Sequence, residues 1–416
     1  MKKFFAMLLM FSMVFSIFAD PPVTIRILQS GNKESPAYTI ALEMVKKDFP
    51  HATFIFNKID RSDGSTLTMD AQIAAGMAPN IYIDTMVRAS KYMVPEFALP
   101  LDDYIRDLPK YNPGVLTQYR RNGKLLALPM PGAAQAMLIN LDIMKEIGFS
   151  VPDNWTVNDF LRMAEMVKVH YKGKKWATGM FAANQSGDYL LHNWFAAFGA
   201  EYYKNQNYDR SVIADTGGVK AYEFFQTLVK NGYVPPNAAS LNDDDYCAQW
   251  MVGDLAATAF FPNWINIYLK TAMDQGLLAK PFEYKFVPFP RGPGVSKVPT
   301  YYSNAAMIVH KTGTYADTVA ARFAEYNNSP IIQGMTAKTD SIIPNREDST
   351  YWPTDKYTLQ VMAIVNTNGI YDAGLTDPRF TERRALQFPI LQQVLNFTMK
   401  PLDAIKLYQE KLSAVD

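Results

Sequence analysis

Apolar and polar residues alternate along "VTIRIL" (23–28), the period of a half-buried strand. A polar turn, "SGNKES" (30–35), separates it from a stretch in which Ala37, Ile40, Ala41, Met44 and Val45 share one helical face. Ser35 and Pro36 suit the N-cap and first position of that helix. "ATFIFNKI" (52–59) reads as a second strand, a helix with Ala71, Ala74 and Ala75 follows, and "NIYIDT" (80–85) reads as a third strand. Strands alternating with helices predict a mainly parallel sheet with right-handed crossovers. Ligands of such sheets bind beyond the carboxyl ends of the strands. Gly31 and Asn32 in the first loop, and Asp84 and Thr85 after the third strand, are therefore candidate solute contacts.

The pattern continues in a second α/β region. "KLLALPMPGAAQAMLIN" (124–140) passes two prolines and a glycine, as suits a segment crossing between lobes. Thr156 and Asp159 form a capping-box pair for a helix burying Phe160, Met163, Ala164 and Val167. A further helix buries Ala221, Phe224, Phe225, Leu228 and Val229, with Lys230 and Gly232 as its stop signals. "FEYKFVPFPRGPG" (282–294) is a strand leaving through a proline-rich link, a second crossing, and Pro344-Asn345 marks a third. "NDDDY" (242–246) lacks the alternating ligands, glycine and distal glutamate of a calcium loop and reads as a solvated helix start. Arg383-Arg384 reads as a solvated helix face.

Length and composition narrow the class. A chain of 416 residues exceeds what one core usually serves, so two lobes are expected. Lys2-Lys3, an apolar run from Phe4 to Phe18 and the small Ala19 make residues 1–19 a secretory signal peptide, with no cysteine after it for lipid attachment. The mature chain then carries 39 basic and 40 acidic side chains, a balance without global attraction for nucleic acid or anionic membrane. The lone Cys247 excludes an internal disulfide and a thiolate metal cage, and His51, His170, His192 and His310 are scattered without metal spacing. No serine elbow, zinc-protease motif, Walker loop or dinucleotide fingerprint is present, so no catalytic residue, metal or cofactor is assigned.

Four stretches in this order resemble one known family. They are "GKLLALPMPGAAQAMLINLDIMKEIGFSVPDNWTVNDFLRMAEMVK" (123–168), "GVKAYEFFQTLVKNGYVPP" (218–236), "YCAQWMVGDLAATAFFPNW" (246–264), and "VPFPRGPG" (287–294) followed by "SNAAMIVHK". The chain resembles the extracellular solute-binding proteins of ABC importers, in particular the group that includes maltose-binding proteins. The resemblance implies the type II two-lobed periplasmic-binding-protein fold, each lobe a mainly parallel sheet flanked by helices, joined by three crossings. The first lobe would hold residues 20–128 and 290–344, the second 129–289 and 345–416. The lobes would close on a carbohydrate, mono- or oligosaccharide, which a monomeric periplasmic protein hands to the transmembrane permease subunits.

The same resemblance places Trp264 in the cleft, where a flat ring stacks on the apolar face of a sugar, with Asn263 beside it. It puts the stretch Tyr301-Tyr302-Ser303-Asn304 at the return to the first lobe, with Tyr302 and Asn304 as solute contacts. It brings Asn184, Tyr189 and Trp194 near the cleft, one of the two aromatics being a core ring. Two other functions stay open on the sequence. A chemoreceptor-coupled sensor would share fold and cleft, and a periplasmic hydrolase would need two carboxylates whose separation no sequence reveals.

Overall fold

The computed structural model describes residues 21–30, 36–59, 64–184, 188–200, 203–204, 207–211, 216–371, 373–375, 377 and 380–415. The candidates Gly31 and Asn32 and the apolar leader lie outside them.

Strand β1 (Val23–Ser30) pairs in parallel with β2 (Ala52–Ile59) along its whole length and with β3 (Ile81–Thr85) from Ile27 to Gln29. The connection from β1 to β2 is helix α1 (Pro36–Asp48), which buries Ala41 and Val45. Helix α2 (Gly64–Ala74) leads back to β3. For these three strands the alternating pattern gives the parallel pairing it predicts.

The first sheet is completed by two strands from later in the chain. Strand β4 (Leu128–Ala134) is followed, after the single residue Gln135, by β5 (Ala136–Asn140). Helix α3 (Val157–Tyr171) starts on the capping box between Thr156 and Asp159 and buries Phe160, Met163, Ala164 and Val167. Next come α4 (Tyr189–Ala197), α5 (Thr216–Lys230) and α6 (Asp243–Met251). They are followed by β6 (Ala257–Phe260), α7 (Pro262–Asp274) and β7 (Tyr284–Val287). Strand β8 (Tyr302–Val309) then enters the first sheet, whose order is β2-β1-β3-β8-β4, with β8 antiparallel to both neighbours. Helices α8 (Phe380–Leu395) and α9 (Pro401–Ser413) close the chain.

The second sheet has the order β6-β5-β7 and both its pairings are antiparallel, which corrects the expectation of a mainly parallel sheet in each lobe. The reason lies in the crossing. Strand β5 runs outward from Gln135, and β6 and β7 both run back toward it, Phe260 opposite Ala136 and Val287 opposite Met137. One returning strand delivers the start of α7 to the crossing and the other delivers the chain to its second crossing.

The change of sheet falls at Gln135, past the prolines. Pro129 and Pro131 sit within β4, whose one partner in the sheet is β8, so its other edge tolerates residues without an N–H. The second crossing falls near Tyr301, since Arg291 bridges Thr156, the Gly292 amide donates to Ala197 O at 2.8 Å and Thr300 bridges Ile370. The three crossings touch. The Gly132 amide donates to Ile343 O at 3.1 Å, the Ile343 amide donates to Gly132 O at 2.6 Å, and the Gln135 amide donates to Tyr301 O at 2.8 Å. Gly132 is required by close approach, because a Cβ there would stand 2.5 Å from Ser303 O and 2.6 Å from Asn304 Cβ.

Among the described residues no helix is long and apolar enough to cross a membrane.

Candidate functional site

Helix α7 begins with Pro262 at its first position and Phe261 as its cap, so the break before Trp264 is a helix start. That places Trp264 in the first turn, half-buried, where the end of β6 meets the crossing. Its ring lies 4.8 Å from Phe261, and edge-on to Tyr189 at 5.9 Å. Tyr189, the first residue of α4, is 5.9 Å from Phe261 and stacks on Tyr301 at 6.1 Å. Four rings from three chain segments thus form one cluster. Burial pushes the phenols of Tyr189 and Tyr301 above their ordinary value, so both remain neutral hydroxyls.

Tyr301 and Tyr302 point to opposite faces because side chains alternate along a strand. Tyr301 joins the aromatic cluster and Tyr302 does not. The Tyr302 hydroxyl donates instead to Asn345 Oδ1 at 2.7 Å, and Asn345 Nδ2 donates to Met130 O. Asn304 accepts from the Tyr119 hydroxyl, and its Nδ2 has no hydrogen-bond partner among the described residues. Tyr302 therefore holds the crossings together, while Asn304 keeps one donor for other use.

Asp84 is 2% exposed and occupied by protein donors: the Tyr82 hydroxyl at 2.8 Å, the Thr85 amide at 2.6 Å and Arg88 Nη2 at 2.9 Å. It braces the turn from β3 into the short helix Met86–Ala89, whose cap position Thr85 holds. Helix α8 packs against this short helix. Asn263 is half-buried, and its Oδ1 has no hydrogen-bond partner among the described residues. Asn184 is exposed.

Trp194 is the core ring of the Tyr189/Trp194 pair. It is 1% exposed and packed against Phe160 at 5.1 Å, Phe224 at 5.0 Å and Phe289 at 5.6 Å. Its position five residues after Tyr189 turns it to the buried side of α4. The pair Arg383-Arg384 also departs from expectation. Arg383 is 2% exposed, and Arg384 grips Asp188 with Nε at 2.6 Å from Oδ2 and Nη2 at 2.8 Å from Oδ1. Burial raises the Asp188 carboxyl, but Arg384 and His192 outweigh it and hold the group below the usual carboxylate range. A solvated face was the natural reading because the partner acid lies 196 residues away.

Phe261 and Gln135 belong beside these candidates, although the sequence reading did not single them out. The signal for Gln135 was available: it is the one long polar side chain between Leu125 and Ile139. A separate cavity of about 460 Å³ is lined by Lys270, Lys280, Phe282, Tyr284 and Tyr357. It opens at the end of β7 remote from the crossing, where Tyr284 pairs Asn140. None of the four clustered rings borders it.

Comparison with known proteins places this geometry. Residues 42–359 match the model of a family described as bacterial extracellular solute-binding protein. No curated protein matches. The structure is similar to the GacH receptor of Streptomyces glaucescens, solved unliganded and with acarbose, at 16% identity and TM-score 0.73, over 95% of this chain and 99% of that one. It is similar to an ABC transporter solute-binding protein of Thermotoga lettingae bound with α-D-tagatose, at 16% identity and TM-score 0.72, over 94% of this chain and 99% of the other. It is also similar to UgpB of Mycobacterium tuberculosis in complex with glycerophosphocholine, at 14% identity and TM-score 0.72, over 95% and 98% of the two chains. At such identities the likeness establishes the two-lobed fold.

Proposed function

We propose, for a chain that belongs to the bacterial extracellular solute-binding proteins, that its solute is a carbohydrate, mono- or oligosaccharide, bound without chemical change between the lobes. The observation that carries this reading is the cluster of Trp264, Phe261, Tyr189 and Tyr301 at the crossing. Aromatic faces suit the C–H face of a pyranose, and neutral phenols and amides suit its hydroxyls. The acarbose and tagatose held by two structural neighbours support the same class. Closure would follow from population shift, since only the closed form touches solute from both lobes.

The delivery partner in this reading is the transmembrane permease of an ABC importer. The protein acts as a periplasmic monomer after removal of residues 1–19, and it uses no metal or cofactor. Trp264, Tyr189, Asn263 and Asn304 are the contacts retained. Thr85, Asp84 and Asn184 stay proposed from their places in the chain, Asp84 with its carboxylate already held by protein donors, while Tyr302 serves the crossing and Trp194 the core. Gly31 and Asn32 stay proposed from their place after β1.

The test is a melting-temperature screen of the mature protein against a carbohydrate panel, with the mixtures analysed for product. The reading predicts a stabilising response to at least one saccharide and recovery of that saccharide intact. A flat response across the panel, or turnover, would overturn it.

A further inference from the structure

The residue that links the two sheets is a glutamine with no exposed surface and, among the described residues, no partner for its side chain. Gln135 is 0% exposed, and neither Oε1 nor Nε2 makes a hydrogen bond among the described residues. Leaving a buried donor and a buried acceptor unmade is costly, and most buried polar side chains are paired. An apolar residue of the same volume would avoid that cost. Its neighbours in the run, Ala134, Ala136, Met137, Leu138 and Ile139, are all apolar and buried. The amide therefore calls for a physical account.

Strand register places it. Ala134 pairs with Tyr302 on one side and Ala136 pairs with Phe260 on the other. One further step in each ladder sets Gln135 opposite Tyr301 and opposite Phe261, and the first of these is fixed by the Gln135 amide donating to Tyr301 O at 2.8 Å. Cross-strand partners share a face of the sheet. The backbone of Gln135 is thus next to the two residues whose rings meet edge-on at 6.3 Å, the same rings that hold Tyr189 and, through Phe261, Trp264. The Gln135 backbone runs at the base of the aromatic cluster, and its carboxamide is buried there without a hydrogen-bond partner among the described residues.

We infer that Gln135 is a specificity-determining solute contact, its amide pairing with two adjacent hydroxyls of the bound molecule, one as donor and one as acceptor. This rests on the carbohydrate reading above. A carboxamide offers a donor and an acceptor side by side, the complement of a vicinal diol. The same group makes closure depend on solute. With the lobes together and no solute the amide would be dry and unpaired; with the lobes apart it would meet water; with the lobes closed on a diol set against it, it would be paired. Gln135 thereby penalises the empty closed form and leaves the loaded one unpenalised.

The test uses Gln135→Leu in the full mature chain. Leucine keeps most of the volume and removes both polar atoms. Three results are expected together. The solute-free variant melts above the wild type, its solute-free radius of gyration by small-angle scattering is smaller, and its affinity for the saccharide that stabilises the wild type falls about ten- to hundredfold. In the wild type, the deoxy analogue lacking one hydroxyl of the diol binds more weakly, and in the variant the two sugars bind alike. Native affinity in a folded Gln135→Leu protein would overturn the inference, as would a lower or equal melting temperature, which would mean that the amide is paired inside the protein. If no carbohydrate stabilises the wild type, the function reading fails by itself. The amide is then judged on the solute-free protein, where an unchanged melting temperature and radius of gyration overturn it.

Discussion

The hydroxyl of Tyr302 donates to Asn345 Oδ1 at 2.7 Å, with both side chains buried. Asn345 passes the contact on, donating from Nδ2 to Met130 O and, through its backbone amide, to Gln333 Oε1 at 2.7 Å. One pair of residues therefore ties β8 and β4 to the third crossing. Tyr302→Phe removes this bond and leaves a buried acceptor short of a donor, at a cost of about 1–3 kcal/mol. The variant should melt several degrees lower while its lobes still fold. An unchanged melting temperature would show that the bond carries no net stability.

Gly132 lies in the same knot. Its added Cβ would meet Ser303 O at 2.5 Å, backbone that cannot swing aside, with Asn304 Cβ at 2.6 Å and Tyr302 Cε1 at 2.8 Å. Gly132→Ala should therefore push β4 away from β8, costing about 1–3 kcal/mol as overpacking does. Denaturant unfolding checks this. A stability equal to wild type would mean that the two strands separate freely at this point.

The Asp188–Arg384 pair gives a pH dependence with a definite sign. The folded carboxyl titrates below its unfolded value of about 3.9, so the stability it contributes is complete well above that pH. That contribution is lost as pH falls from about 4 toward the depressed folded value. Asp188→Asn removes the carboxylate that the largely buried Arg384 grips, and breaking such a pair costs about 3–5 kcal/mol. The stability gap between wild type and variant should narrow as pH falls below about 4. A gap that widens toward acid would reverse the assignment.

Trp264 separates two roles on one variant. A half-buried ring that stacks on solute should, when cut to Ala, cost about ten- to hundredfold in affinity. A ring that serves the core should instead cost about 3–5 kcal/mol of stability. The first outcome is expected, measured as affinity and melting temperature together. A variant that melts far lower yet binds natively would move Trp264 into the core.

Periodicity found the elements that local physics fixes. The strand at 52–59, the capping box at Thr156 and Asp159, and the helix start at "NDDDY" all depend on neighbours within a few residues. Asn242 indeed caps α6 with Asp245 in a capping box. The direction of β6 and β7 was not legible, since antiparallel return is decided by where the chain must cross next. Pairing across long separations was equally hidden. Asp188 with Arg384, and Tyr302 with Asn345, are chosen by the assembled lobes. At the site, Trp264 and Tyr189 do come within 5.9 Å of each other, but the strand alternation that sends Tyr301 rather than Tyr302 into their cluster needs a known register. Pro129 and Pro131 lie short of the change of sheet at Gln135, because an edge strand accepts them without leaving its sheet.

Calorimetric titration of the mature protein with the panel saccharide that most raises its melting temperature tests the central claim most directly. Carbohydrate capture between two lobes predicts saturable binding of one solute per chain, with a negative heat-capacity change from the apolar surface buried on closing. Heats that never saturate, for any saccharide of the panel, would contradict it.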